Sequence, residues 1–278
     1  MNGLLPLLRE AVADASTGNV GISLSGGIDS ATVACLASPA FPTFTGYYAE
    51  AGFDERHWAR LARHVEHHEV LITPDDFVMF FDDMAGFVRP PISGPGMFGQ
   101  YMVAREASRH VQGMLSGEGS DELFGGYARL MLVAGEEPPL GYEEYTLPPG
   151  YPTDLHAALE YDYDRLKYLL ATDEQMLGAW NLTGRAPFTD QRVVEYALAL
   201  PDTWRVAKRH LRRAVRGVVP EAIIHREDKM GFPAPFVQWC QREPVRSFVM
   251  DRIGYVPAPE QQWSRGWWYE LVEQGMPK

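Results

Sequence analysis

The chain has 278 residues, 46% of them hydrophobic, and its 37 acidic and 25 basic side chains give a net charge of −12. Such a chain can bury a sizeable core, and its acidity excludes a generic nucleic-acid surface, which needs clustered Lys and Arg. Cys35 and Cys240 are too few and too widely separated for a disulfide framework or a thiolate metal site. No basic stretch precedes an apolar run at the start, and no apolar run reaches the roughly 18 residues that span a bilayer. We therefore expect a soluble cytoplasmic protein without membrane or nucleic-acid partners.

Short apolar runs alternate with amphipathic stretches in the first half of the chain, which predicts strand-helix units around a parallel sheet. The predicted strands are 20–24, 44–49, 70–72 and 111–115. The predicted helices are 4–13, one that starts near residue 29, 54–65, 77–88 and 101–110. The first and fourth strands both run into turns rich in Gly and Ser.

The composition changes to Gly, Pro, Glu and Tyr over residues 135–152, which predicts a long connection. An exposed loop is favoured slightly over a mobile flap. Helical spacing returns at 155–180, 191–200 and 209–217. The sequence thus predicts an α/β fold over residues 1–278, with an α/β core at 1–130 and a mainly helical part at 131–278.

The hexapeptide SGGIDS at residues 25–30 lies where the first apolar strand passes into a helix. Glycines let a backbone approach a phosphate, and the freed amides and the helix N-terminus attract the anion. The letters SGG alone favour an ordinary strand-turn-helix corner over a phosphate-binding loop. Because no Lys follows the glycines, this is not the loop that grips the outer phosphates in gamma-phosphoryl transfer.

This hexapeptide resembles the pyrophosphate loop of the ATP-pyrophosphatase superfamily, and a second motif narrows the resemblance. The segment LSGEGSDELFGGY at residues 115–127 closely resembles the signature of asparagine synthetases. Further similar segments follow in order: RAPFTD at 185–190, VEYA at 194–197, Lys208 with LR at 211–212, and PEAIIHREDKMGF at 220–232. The resemblance implies an adenine-nucleotide alpha-hydrolase-like (PP-loop) core and an ATP-dependent, AMP-forming amide synthetase.

The same resemblance implies a set of site residues. It implies ATP and Mg²⁺ as cofactors, with Asp29 and Asp121 as the magnesium ligands, and Lys208 and Lys229 as phosphate-facing catalytic lysines. Lys229 would stabilise charge on the alpha-phosphate and the acyl-adenylate, unless it is an ordinary surface lysine. Glu118 would accept a proton from ammonia, or it only orders its loop. The implied nucleotide-binding residues are Leu24, Ser25, Gly26, Gly27, Asp29, Ser30, Ser116, Gly117, Asp121 and Asp190.

Two departures from the family pattern leave the substrates open. Asn2 stands where glutamine-using members carry a cysteine, so no glutaminase domain is expected here, and ammonia would come free or from a glutaminase partner. TGR at residues 183–185 and Thr189 replace the family's usual residues near the expected pocket. Aspartate is the favoured carboxylate. Amide or lactam formation on a secondary metabolite or peptide, a degenerate nucleotide-binding subunit, and a homodimer remain alternatives.

Three other patterns are interpreted as structural. GPGMFG at 94–99 follows no predicted strand, so a dinucleotide site is not expected, although the segment could shape the acceptor pocket. The cluster of His64, His67, His68 and Glu69 suggests a metal, but His67 and His68 are adjacent and would point apart. The aromatic residues at 263 and 267–269 are expected to anchor the tail or to form an oligomer contact.

Overall fold

The structure, a computed structural model, describes residues 3–140, 142, 145–228, 234–259 and 266–276. The helices are α1 Leu4–Ala15, α2 Ile28–Leu36, α3 Arg56–Ala59, α4 Pro74–Phe87, α5 Gly96–Ala107, α6 Ser120–Phe124, α7 Ala128–Val133, α8 Leu155–Gly178, α9 Gln191–Leu198, α10 Asp202–Arg205, α11 Arg209–Ala214, α12 Glu221–Ile224, α13 Phe236–Trp239, α14 Val245–Ile253 and α15 Gly266–Gly275. Two short 3₁₀ helices lie at Pro187–Thr189 and Val206–Lys208.

Five parallel strands form one sheet in the order β3-β2-β1-β4-β5. The strands are β1 Val20–Ser23, β2 Thr43–Tyr47, β3 His67–Leu71, β4 Gly113–Leu115 and β5 Thr183–Arg185. Strands β2 and β3 lie on one side of β1, and the chain then returns so that β4 and β5 lie on the other side of β1. The carboxyl ends of β1 and β4 therefore form the switch point of the sheet, which is where open α/β sheets bind ligands.

Alternate residues of the short strands face the two sides of the sheet. Ile22 and Leu115 are cross-strand partners and belong to the core that holds α1, α2, α9 and α11. Met114 and Phe44 pack on the opposite side against α5 and the end of α8. Gly21 makes room for this packing, because a Cβ there would lie 2.6 Å from the Phe44 ring. The sheet is thus covered by helices on both faces, and the predicted α/β fold is confirmed.

The C-terminal helices extend the core on the α5 side of the sheet. Trp268 of α15 is fully buried, stacks on Phe236 of α13 at 5.8 Å, and meets Phe81 of α4 edge to face at 5.7 Å. Trp267 is buried as well. The prediction that these tryptophans anchor the tail is confirmed for Trp267 and Trp268, whereas Trp263 lies outside the described residues.

Several predicted elements are wrong or incomplete. Of the helix predicted at 54–65, only the single turn of α3 forms. Both ring nitrogens of His64 lie 2.8 Å from backbone oxygens, those of Phe41 and Ala34, and these contacts keep this part of the chain out of a helical conformation. Strand β5 was not predicted, and its sequence TGR offers no apolar run. Strand β3 begins at His67 rather than residue 70, since it is an edge strand of half-exposed side chains. GPGMFG runs into the first turn of α5, with no strand before it.

The connection at 135–152 contains no helix or strand among its described residues, as predicted. Its end is fixed, because the buried Tyr151 hydroxyl donates to the carboxylate of Asp162 at 2.8 Å. Both cysteines are free thiols. None of the described helices is both long enough and apolar enough to cross a membrane.

Candidate active site

The two glycine-rich turns predicted from the sequence lie side by side at the switch point of the sheet. The first follows β1 and leads into α2, and the second follows β4 and leads into α6. They approach each other closely at Gly117, where a Cβ would lie 2.8 Å from both the Asp29 Cβ and the Ser30 amide nitrogen. Only glycine lets the second turn approach the first this closely.

The first turn is held in shape by its own serines. The Ser25 amide donates to the Ser30 hydroxyl at 3.0 Å, and the two hydroxyls are also 3.0 Å apart. Gly26 has a left-handed backbone (φ +73°) and would place a Cβ 2.7 Å from Trp58. The turn is therefore pinned between its serines and α3. Leu24, just before it, is buried and its carbonyl accepts from Thr45 at 2.6 Å.

One ammonium group joins the two turns. Lys208 Nζ lies 2.6 Å from Asp29 Oδ2 and 2.6 Å from Asp121 Oδ1. These two carboxylate oxygens can therefore be no more than 5.2 Å apart, twice the distance of 2.6 Å. The Ser120 hydroxyl donates to the other oxygen of Asp29 at 2.5 Å. Both predicted metal ligands and one predicted lysine thus meet at a single point.

Lys208 reaches this point from a strained backbone. Ala207 and Lys208 both have φ of 56°, a left-handed conformation that costs roughly 1–3 kcal/mol in a residue other than Gly. The Ala207 amide donates to the Gly125 carbonyl at 2.9 Å, which fixes the turn against the end of α6. Gly126 completes the fit, since a Cβ there would lie 1.8 Å from Asp121 Oδ1 and 2.1 Å from Lys208 Cε.

The electrostatics of the cluster keep this lysine charged. Lys208 is 7% exposed, and burial alone would lower its pKa, but the charges of Asp121 and Asp29 outweigh burial and raise the pKa above its ordinary value. The buried ammonium therefore compensates two carboxylates, and the cluster keeps an excess of negative charge.

Further carboxylates surround the cluster. Burial, followed by the negative charge of Asp173, raises the pKa of Glu118 well above its ordinary value. Burial also raises the pKa of Asp173 to about 6. For Glu122, burial and then the charge of Asp121 raise the pKa to about 7, although the Tyr127 hydroxyl donates to its carboxylate at 2.5 Å. These groups take up protons more readily than ordinary carboxylates do.

The segment before residue 229 is anchored beside the first turn. The buried Arg226 donates to the Gly26 carbonyl at 3.3 Å, pairs with Glu55, and lies 4.8 Å over the Trp58 ring. Lys229 itself lies outside the described residues.

The remaining predicted residues have local roles in the structure. Ser116 is buried, its amide donates to the Arg185 carbonyl at 2.9 Å, and its hydroxyl accepts from the Glu118 amide at 3.4 Å. Asp190 caps α9 and pairs with Arg192 at 2.7 Å, which lowers its pKa. No hydrogen bond or ion pair within the described part of the chain joins Asp190 to the cluster, so its place near a pyrophosphate stays a prediction.

Comparison with known proteins identifies the family of this chain. The family model described as asparagine synthase matches residues 3–143 and 148–270. The chain belongs to the asparagine synthase family. It is 27% identical to glutamine-hydrolyzing asparagine synthetase 1 of Bacillus subtilis, over 86% of this chain and 51% of that protein.

Other relatives of the asparagine synthase family match in a similar way. A putative glutamine-hydrolyzing asparagine synthetase of Mycobacterium bovis is 28% identical over 84% of this chain and 48% of its own length. Putative glutamine-hydrolyzing asparagine synthetase 1 of Methanocaldococcus jannaschii is 28% identical over 68% of this chain and 34% of its own length. The chain thus spans about half the length of the first two relatives.

Sequence reasoning missed three residues that shape this candidate site: Ser120, Arg226 and Glu122. Ser120 and Glu122 flank Asp121 in the second motif, and Arg226 precedes Lys229 in the last one. Their positions inside two matching motifs were a usable signal. Which of the motif side chains would face the first turn became clear only from the folded chain.

Proposed function

We propose that this chain is an ATP-dependent ligase that forms C–N bonds through an acyl-adenylate and releases AMP and pyrophosphate. Aspartate is the proposed carboxylate and ammonia, free or supplied by a partner, the proposed nitrogen donor, so that asparagine is the product. Membership of the asparagine synthase family supports this assignment coarsely. The observation that carries it is the meeting of Asp29, Asp121 and Lys208 between two glycine turns at the switch point.

The residues of the cluster fit a magnesium ion. Mg²⁺ prefers carboxylate oxygens at about 2.0–2.1 Å, so two ligand oxygens must lie within about 4.2 Å. Asp29 Oδ2 and Asp121 Oδ1 are at most 5.2 Å apart, which exceeds that limit by no more than about 1 Å. When held by these two carboxylates, the ion would neutralise charge on the pyrophosphate as it leaves.

The chain's own groups would act on the phosphates as follows. Amides of the first turn and the hydroxyls of Ser25 and Ser30 would hold phosphate oxygens at the start of α2. The substrate carboxylate would attack the alpha-phosphorus, forming a C(O)O–P bond while the bond to the pyrophosphate oxygen breaks. Lys208, already charged and buried, would stabilise negative charge on the departing pyrophosphate without reorganising.

Glu118 suits the second half-reaction. As ammonia attacks the adenylate carbonyl, nitrogen must lose a proton while the bond to AMP breaks and AMP leaves with the substrate oxygen. A carboxylate with a raised pKa is a better proton acceptor than an ordinary one. Arg226, three residues before Lys229 in the sequence, bonds to the first turn, and this supports the proposal that the charge of Lys229 stabilises the adenylate.

The decisive experiment is to supply aspartate labelled with ¹⁸O in its side-chain carboxylate, together with ATP, Mg²⁺ and ammonium. We expect pyrophosphate release and one labelled oxygen in AMP. Label in inorganic phosphate, with ADP as the other product, would overturn the adenylate. Asp29→Asn and Asp121→Asn should each abolish pyrophosphate release, while Asp82→Asn, at an exposed carboxylate of α4, should retain it.

The nitrogen donor and the carboxylate need a separate comparison. Pyrophosphate release with ammonium should exceed that with glutamine alone, and aspartate should exceed glutamate and other carboxylates in a panel. If another carboxylate drove faster AMP formation than aspartate, the substrate assignment would be wrong while the ligase chemistry would stand.

A further inference from the structure

Two histidines and a glutamate meet on the protein surface at the amino-terminal edge of the sheet, away from the turns of the candidate active site. They are Glu66, just before β3, His68 in β3, and His110, just before β4. As expected from their adjacency, His67 and His68 face opposite sides of β3: His67 bonds to Thr43 at 2.8 Å, whereas His68 stacks on Phe44 at 4.8 Å. The imidazole ring beside His68 is that of His110, which is distant in the sequence and does not belong to the predicted histidine cluster.

The distances suit a small divalent ion. Glu66 Oε1 lies 3.0 Å from His68 Nε2 and 3.9 Å from His110 Nδ1, and one ligand atom from each residue falls within 4.8 Å of the others. Ligands about 2.0–2.1 Å from a tetrahedral zinc ion lie about 3.4 Å apart, between those two distances. The imidazole rings are 4.1 Å apart, so they already converge.

The surroundings of the cluster resemble those of a built site. His110 Nε2 lies 3.3 Å from Glu106 Oε1, and this outer carboxylate can fix the ring so that Nδ1 faces Glu66. Arg109 occupies the other oxygen of Glu106 at 2.7 Å. The buried Phe44 ring supports His68 from below. The side chains of His68 and His110 are 24% and 29% exposed, so water can reach the remaining coordination positions.

We propose that Glu66, His68 and His110 form a binding site for a divalent transition-metal ion, with Zn²⁺ as its ligand. Two imidazole nitrogens and one carboxylate oxygen favour zinc over Mg²⁺ or Ca²⁺, which prefer all-oxygen ligands. A histidine nitrogen that binds a metal carries no proton, so Nε2 of His68 would exchange its contact with Glu66 for one with the ion. The bound ion would join the edge strand β3 to the connection between α5 and β4.

Zinc titration by calorimetry tests the site, with the untagged chain kept in excess Mg²⁺ so that Asp29 and Asp121 do not take up zinc. We expect one Zn²⁺ per chain and a thermal midpoint that rises by several degrees. His68→Ala and His110→Ala should each weaken binding at least about tenfold, and Glu106→Gln, which removes only the outer carboxylate, by about 10- to 100-fold.

His156→Ala is the matched control. His156 lies 3.1 Å from Asp202 and 3.4 Å from Glu160, but it has no second imidazole beside it in the described chain. Zinc affinity should not change in this variant. Equal affinity in the native chain and in His68→Ala or His110→Ala would overturn the proposal, as would absence of binding at 100 μM Zn²⁺. If an alanine variant failed to fold, Glu66→Gln, which keeps the side-chain volume, would replace it and decide by the same measure.

Discussion

At the scale of single residues, Lys208 is the group on which the candidate site depends most. It compensates Asp29 and Asp121 from a buried position, on a backbone that is strained to place it there. Lys208→Met keeps the length of the side chain and removes the charge. We expect pyrophosphate release to fall by about 10²- to 10³-fold, as when one transition-state donor is removed.

The control for this change is Arg213→Met, which removes an exposed cation from the neighbouring helix α11. Both variants should retain the native circular dichroism spectrum. A Lys208→Met rate within threefold of the native rate would show that the ammonium has a structural role only.

The protonation of Glu122 makes a prediction about stability and pH. Burial and Asp121 raise its pKa from 4.5 to about 7, so between those values the folded chain holds a proton that the unfolded chain has released. The stabilisation from this proton is complete below pH 4.5 and is lost as pH rises through 7. In Glu122→Gln, this contribution no longer depends on pH.

The measurement is urea unfolding of the native chain and Glu122→Gln at several values between pH 4.5 and 8. From low to high pH, the native chain should lose up to about 3 kcal/mol relative to the variant. A constant difference between the two proteins across this range would mean that Glu122 titrates like an ordinary glutamate.

At the scale of elements, the contact between the two glycine turns should be sensitive to one methyl group. In Gly117→Ala, the new Cβ would lie 2.8 Å from Asp29 and Ser30, and part of that contact is with backbone, which cannot rotate away. We expect the turns to separate and the rate of pyrophosphate release to fall by about 100-fold, since misplacement of about 1 Å has effects of that size.

Gly86→Ala provides the comparison, because nothing lies within 4 Å of a Cβ at this glycine of α4. This variant should be more stable by about 0.5–1 kcal/mol, with an unchanged rate. Native activity in Gly117→Ala would contradict a close fit between the turns.

The elements differ in how far they could be predicted. Strands β1, β2 and β4 carry apolar residues that face the core, and the helix patterns of α1, α4 and α8 reflect one buried side, so the sequence was sufficient for them. Strand β5 is defined by its pairing with β4 and not by its own residues. The left-handed pair at Ala207 and Lys208 could not be predicted, because its strain is maintained by contacts with residues distant in the sequence, among them Gly125 and Asp29.

The candidate site was predicted to a similar extent. Motif resemblance was enough to select Asp29, Asp121 and Lys208. Asp29 is at least 92 residues from the other two in the sequence, and the fold brings all three together. It did not indicate the raised pKa of Glu118, which arises from burial and from Asp173, a residue outside every motif. Such effects depend on neighbours that are distant in the sequence.

At the scale of the whole molecule, the tail helices contribute to the core and do not merely cover it. Trp268 is fully buried among aromatic rings from α4 and α13, so Trp268→Ala should lower the free energy of unfolding by about 3–5 kcal/mol. Guanidinium unfolding measures this loss. Trp204→Ala, at a tryptophan that is 52% exposed, should change it by less than about 1 kcal/mol. Equal effects in both variants would show that the tail packs loosely.

Strand β5 also determines how the molecule can be divided. The chain leaves the sheet after β4, passes through the loop at 135–152, and returns to pair β5 with β4, so neither half contains a complete sheet. A cut between residues 138 and 139 would separate Lys208 from Asp29 and Asp121, but it would break no helix or strand. Co-expressed fragments 1–138 and 139–278 should therefore reassemble and regain pyrophosphate release together, while either fragment alone is inactive. The loop at 135–152 is thus a position at which the protein could be divided into two fragments, whose activity would then depend on any interaction that brings the fragments together.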